Sequence, residues 1–169
     1  MIITISGKAR HGKDTCADIL KQLYESDGKR VAIASYGSHI KQMYVNYFNW
    51  NGEKTTEARE FLQWLGTDRI RKINPDFHVN RTIEDMEILK DSFDIFIIPD
   101  TRFPNELIGD YNIRVVRLNY ESDLTEKQQQ HESETALNHY NNFDLIISAN
   151  SGDFTSLRRQ LIAFKEVYG

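Results

Sequence analysis

The first twenty-odd residues constrain this chain more than any other stretch. Met1-Ile2-Ile3-Thr4-Ile5-Ser6 is an apolar run that reads as a buried strand. Gly7-Lys8-Ala9-Arg10-His11-Gly12-Lys13-Asp14-Thr15 follows at once, and Cys16, Ile19, Leu20 and Leu23 then recur at helix spacing. Strand, glycine loop and helix form the context a phosphate-binding loop needs. Gly7 and Gly12 let the backbone turn its N–H groups inward around an anion. The helix start adds the positive end of its dipole. Lys13 is placed to reach the β- and γ-phosphates of a nucleoside triphosphate.

The pattern G-x-x-x-x-G-K-[ST] is met except at its last position, where Asp14 stands and Thr15 follows. The usual hydroxyl binds Mg²⁺. A carboxylate is also a hard-oxygen ligand, directly or through water, so Asp14 is the metal candidate. Thr15 is then left for the α-phosphate. The same residues also suit a plain glycine turn capped by Asp14 and Thr15, since both types favour helix starts. The strand before and the helix after favour phosphate.

With 169 residues the chain has the length of one domain, and no repeat, low-complexity tract or proline-rich linker divides it. A formal net charge of −4 gives no global attraction to a nucleic acid polymer. Cys16 is the sole cysteine, so no intrachain disulfide forms, which suits a reducing cytoplasm. Its helical spacing marks it as core. No apolar run approaches membrane-spanning length, and the first apolar run is too short for a signal peptide.

Further strands are expected at 31–35, 93–98, 113–118 and 143–148, and helices at 39–48, from about 56, at 77–90 and from about 154. Gly66-Thr67 should interrupt the helix begun near Thr56, and Asn74-Pro75-Asp76 should stop it. Residues 103–108 read as a short helix. Strands alternating with helices imply an α/β fold: a five-stranded parallel sheet flanked by helices. Ligands of such sheets bind beyond the carboxyl ends of the strands. The loop after Ser6, Asp100 to Arg102, and Asn150 to Gly152 all fall at that edge and should converge.

Asp100 follows an apolar strand, where an acid can hold a Mg²⁺ shell or orient an attacking phosphate oxygen; it also suits a simple turn after Pro99. The planar fork of Arg102 suits a phosphate, or a surface ion pair. Between residues 36 and 82 lie Lys41, Arg59, Arg69, Arg71, Lys72 and Arg81, with Gln63 and Trp64 offering an amide and a stacking surface for a base. Composition alone would leave most of these on a solvated helix face and Trp64 in the core. The polar stretch 120–142 lies where small kinases place a mobile lid, yet Lys127 is its only cation besides His131 and His139, and the nearest arginine is Arg117 in the preceding strand. The histidines lack metal-ligand spacing.

Gly12-Lys13-Asp14-Thr15 resembles the loop of the bacteriophage-type deoxynucleoside monophosphate kinases. So does Arg59-Glu60-Phe61-Leu62-Gln63-Trp64-Leu65-Gly66-Thr67-Asp68 followed by Arg71, and Asp100-Thr101-Arg102-Phe103-Pro104-Asn105-Glu106. His131-Glu132-Ser133-Glu134-Thr135 and Asn150-Ser151-Gly152 also look like theirs, so the resemblance runs through nearly the whole chain in order. Animal-type phosphomevalonate kinase is similar in the same places, but Leu-Gln-Trp-Leu-Gly-Thr is closer to the nucleotide enzymes. His78 departs from them, where an aromatic such as tryptophan is expected.

The resemblance implies a P-loop NTPase three-layer sandwich with an acceptor-binding segment at about 36–82 and a lid at about 120–142. It implies transfer of the γ-phosphoryl of ATP, with Mg²⁺, to a deoxynucleoside monophosphate. Residues 7–15 with Asn150 and Gly152 would bind ATP, and Lys13, Asp100 and Arg102 would act on the phosphoryl. Lys41, Gln63, Trp64, Arg71 and Arg102 would hold the acceptor. A phosphomevalonate-like acceptor, or a nucleotide-binding protein that transfers nothing, is the alternative. The implied setting is cytoplasmic, the host's if the chain is viral, with no membrane or nucleic acid partner. A homodimer is open to it.

Overall fold

A computed structural model describes residues 1–169. The apolar runs form five strands: β1 (Ile2–Ser6), β2 (Val31–Ile33), β3 (Ile95–Thr101), β4 (Tyr111–Leu118) and β5 (Leu145–Asn150). They lie in the order β2-β3-β1-β4-β5, and every neighbouring pair is parallel. β1 is central and sealed on both faces, so Thr4 and Ser6 are as fully buried as Ile3 and Ile5.

The two-residue period of β3 sets the layers. Ile95 and Ile97 pack with Cys16, Leu20 and Tyr24 of α1 (Lys13–Glu25) and Leu157, Leu161 and Phe164 of α7 (Phe154–Tyr168). Phe96 and Ile98 pack on the other side with Val79 and Met86 of α4 (Phe77–Leu89). Helices on both faces make three layers. Cys16 is core, and burial pushes its thiol up to about 12. No helix is long and apolar enough to cross a membrane.

Several sequence expectations change. Gly66-Thr67 does not interrupt the helix: α3 (Thr56–Gln63) continues into a π-helical stretch, Trp64–Arg71. Gly66 serves close approach there instead. A Cβ on it would stand 3.0 Å from Ile40 Cδ1, and its carbonyl accepts a hydrogen bond from His78 Nε2 at 3.1 Å. Residues 103–108 form only a 3₁₀ turn, Pro104–Glu106, because the Glu106 carboxylate folds back onto the N–H groups of Arg102 and Phe103. Pro99 lies inside β3 rather than ending it. The register with β1 slips there, from Ile98 opposite Thr4 to Thr101 opposite Ser6, so its missing N–H costs no ladder bond.

The last strand is shifted towards its C-terminus, because Val116, Arg117 and Leu118 pair with Ser148, Ala149 and Asn150. α2 (Ser38–Phe48) has no fully buried residue and stands with α3 as a wall off the sheet edge. Residues 120–142 hold two short helices, α5 (Glu126–Gln130) and α6 (Glu132–Thr135).

Ile5 lies on the central strand with no exposure. Ile5→Ala should cost about 2–5 kcal/mol, read as a lower denaturation midpoint at unchanged slope. A loss below about 1 kcal/mol would mean that β1 is not the packing centre.

Candidate functional site

Two cavities meet at the glycine loop. The first, about 410 Å³, lies between the loop, the end of β3 and the wall built from α2, α3 and the π-helical stretch. The second, about 390 Å³, lies between the loop, the ends of β4 and β5 and the start of α7. Arg10, Lys13 and Asp14 border both. The three polar segments expected at this edge therefore converge from two sides: Asp100 and Arg102 line the first cavity, Asn150 and Gly152 the second.

The loop needs its glycines. Gly7 has φ 152°, and a Cβ there would stand 2.6 Å from the Val115 carbonyl oxygen. Gly12, at φ 94°, is the N-cap of α1, and no side chain caps that helix. Asp14 and Thr15 thus do not act as caps: Asp14 is exposed between the cavities, and Thr15 lines the second. The Lys13 ammonium donates to the carbonyls of Gly7 (2.7 Å) and Lys8 (2.9 Å). Burial, and then the neighbouring Arg102 charge, pull its pKa down to about 7. His11 Nδ1 accepts from the Arg117 N–H at 3.2 Å, and burial followed by Lys13 lowers its pKa, so the ring is neutral.

Asp100 is held by three donors: Ser35 Oγ (2.7 Å), Tyr36 N–H (3.0 Å) and Gly37 N–H (2.9 Å). It ties β3 to the start of α2. Lys41, exposed on the first turn of α2, flanks the same glycine: a Cβ on Gly37 would lie 3.3 Å from Asp100 Oδ2 and 3.7 Å from Lys41 Cε.

Arg71 and Arg102 are each committed to a buried acid. Arg71 pairs with Glu106, donates to Pro75 O (2.9 Å) and Asn105 Oδ1 (3.1 Å), and lies 3.8 Å over the Phe103 ring. Glu106 also accepts from the N–H groups of Arg102 (2.6 Å) and Phe103 (3.0 Å), and burial pushes its pKa up. Arg102 pairs with Glu134 and donates to Ser133 O at 3.1 Å. Glu134 in turn accepts from the Ala9 N–H at 2.9 Å.

Of the residues named from sequence for the acceptor, Lys41, Gln63, Arg71 and Arg102 line the first cavity, and Trp64 does not. One helical position on from Gln63 carries it about 100° round the axis. It packs against Phe61 (5.5 Å between centroids) and Arg69 (5.3 Å) on the outer side. Trp50 lines the cavity instead, stacked on Tyr44 at 5.0 Å and 14°. Gly7 and Lys8 border neither cavity and contribute carbonyls to Lys13. Two further residues, Arg59, read from sequence only as one of six cations, and Glu134, given no role there, belong to the site. Arg59 shares with Gln63 the i, i+4 face that lines the cavity, a spacing that could have singled it out. Glu134 lies in the His131–Thr135 stretch that carries the resemblance, but nothing in that stretch says that its carboxylate turns to Arg102 and the Ala9 N–H.

No group of three acid, histidine or cysteine side chains is placed to hold a metal ion, and Asp14 is the one acid within the loop's own residues 7–15. No protein-family model matches the chain, and no curated protein matches it either.

With a pKa of about 7, Lys13 is largely neutral at pH 8 in the free protein. A polyanion bound at the loop would restore its charge. Binding of any such polyanion at pH 8 should therefore take up close to one proton, read by calorimetry in buffers of different ionisation enthalpy. Affinity should fall as pH rises from 7 to 9. Equal uptake by Lys13→Ala would show that another group titrates.

Proposed function

We propose that this chain is a P-loop kinase that transfers the γ-phosphoryl of ATP to the phosphate of a deoxynucleoside monophosphate. The observation that carries this reading is the pair of cavities on either side of one glycine loop and its lysine. A donor in one and an acceptor in the other would meet between Ala9 and Lys13. The motif resemblances point the same way.

The second cavity suits the donor. Loop residues 10–15 border it, as do Asn150, Gly152 and Arg117, whose guanidinium lies 4.2 Å over the Tyr120 ring. The first cavity suits the acceptor. Four arginines line it; Arg10, Arg71 and Arg102 pair with Asp123, Glu106 and Glu134, and Arg59 alone has no acid partner. Arg59 is therefore the guanidinium free to grip the acceptor phosphate. Lys41 supports it near Asp100, and Arg71 shapes the wall behind. Trp50, rather than Trp64, offers a ring to the base, and Gln63 an amide.

In the transfer, an acceptor phosphate oxygen forms a bond to the γ-phosphorus. The bond from that phosphorus to the bridging oxygen breaks, and ADP leaves with the electron pair. Such transfer needs positioning and charge neutralisation more than covalent help, and the chain supplies these. Lys13 exchanges two carbonyls for phosphate oxygens. Asp100 fixes the start of α2, and with it Lys41. Mg²⁺ is commonly bound through one or two carboxylates plus substrate phosphates, so the lone Asp14 carboxylate fits an ion that arrives with the triphosphate. That ion would neutralise phosphate charge.

The test is coupled ADP release over the deoxynucleoside monophosphates and phosphomevalonate, with Lys13→Ala as the inactive control. A response to phosphomevalonate alone replaces the acceptor class. ATP binding without stimulation by any acceptor leaves a nucleotide-binding protein. Arg59→Lys should raise the acceptor KM about tenfold or more, some 1.4 kcal/mol, and leave the ATP KM nearly unmoved. Arg71→Lys should act first on stability, because it leaves buried Glu106 short of a donor. An ATP curve that shifts while the acceptor curve stays would place Arg59 on the donor side.

A further inference from the structure

The glycine loop already holds an anion that the chain itself supplies. The Glu134 side chain is 3% exposed. One of its oxygens accepts the Ala9 N–H at 2.9 Å, and the other pairs with the Arg102 guanidinium. Burial works against its charge, but Arg102, the Ala9 N–H and Lys13 outweigh that and hold its pKa below the usual carboxylate range. A loop amide and a guanidinium on the two oxygens, with the Lys13 charge close by, are the kind of donors that recognise a phosphoryl group.

We infer that Glu134 occupies the seat of the transferred phosphoryl, and that the donor's terminal phosphate must displace it, which frees Arg102. The inference rests on the triphosphate reading of the loop. Two anions do not share a seat whose cations are already matched to one of them. Before the donor arrives, the guanidinium of Arg102 is spent on Glu134. Afterwards it faces the incoming phosphate in place of the carboxylate. The exchange also loosens the acceptor wall. The segment that carries Glu134 is fastened there through Ser133 Oγ, which accepts from Gln63 Nε2 at 3.4 Å, and through His131, which faces Asp68 at 3.7 Å. Donor arrival therefore precedes full opening of the acceptor side.

The probe is inorganic tripolyphosphate in EDTA at fixed pH, which has no base and brings no metal. Calorimetry with the full chain should show that Glu134→Gln binds it at least about fivefold more tightly than wild type, because the amide keeps the shape and drops the competing charge. The free variant should also melt lower than wild type, and the probe should restore it. A second measurement uses the unaltered protein: hydrogen exchange across residues 131–136 should quicken when tripolyphosphate binds. Equal or weaker binding by the variant, or slower exchange in that segment, would make Glu134 a fixed strut and overturn the inference alone. No binding to either protein would overturn the triphosphate reading, and this inference with it.

Discussion

Arg102 is held at both ends by buried carboxylates, and the rest of the site depends on that. Its backbone N–H donates to Glu106 at 2.6 Å, and its guanidinium pairs with Glu134. Glu106 carries the hold onward to Arg71 and the wall of the first cavity, and Glu134 carries it to the Ala9 amide and the glycine loop. One residue after β3 thus links the two sides of the first cavity. Buried acids tolerate this only because every oxygen finds a donor. Remove one partner and the other becomes an uncompensated buried charge, which is far costlier than a surface pair lost to solvent.

The same pairing sorts the cations by role. The chain is acidic overall, with a formal net charge of −4, so its field attracts no phosphate from afar. What the site offers is local. Arg71 and Arg102 are matched to acids, while Arg59, Lys41 and Lys54 line the first cavity without one. An unmatched guanidinium beside a cavity is an offer to a ligand; a matched one is architecture until something displaces its partner.

The outline of the fold was legible in the sequence because strands and helices follow local rules. Ile95 and Ile97 alternate with Phe96 and Ile98 by period two, and Leu157, Leu161 and Phe164 follow helix spacing, so the layers could be read from residue order. The loop was legible for the same reason, since Gly7 and Gly12 sit where the backbone turns at positive φ. What could not be read was pairing across the chain. Nothing near Arg71 in sequence says that Glu106, 35 residues away, takes its guanidinium. Trp64 and Trp50 are equally good rings by composition, and only the helix phase after Gln63 turns one of them outward. Gly66 reads as a breaker because glycine usually is one, but here the helix runs through it and the Ile40 side chain packs close against the missing Cβ.

Residues 120–142 show the same limit in its sharpest form. Read as a string, they look electrostatically weak, because they bring almost no positive charge. In the fold their contribution is an acid, Glu134, set among Lys13, Arg102 and the Ala9 amide. A cluster of that kind left without an anion would repel itself, and burial already pulls the pKa of Lys13 down to about 7. The carboxylate is therefore what lets the cations stay assembled with no ligand present. A segment that brought an arginine here would add to charge already in place; one that brings an acid matches that charge and lets the site assemble.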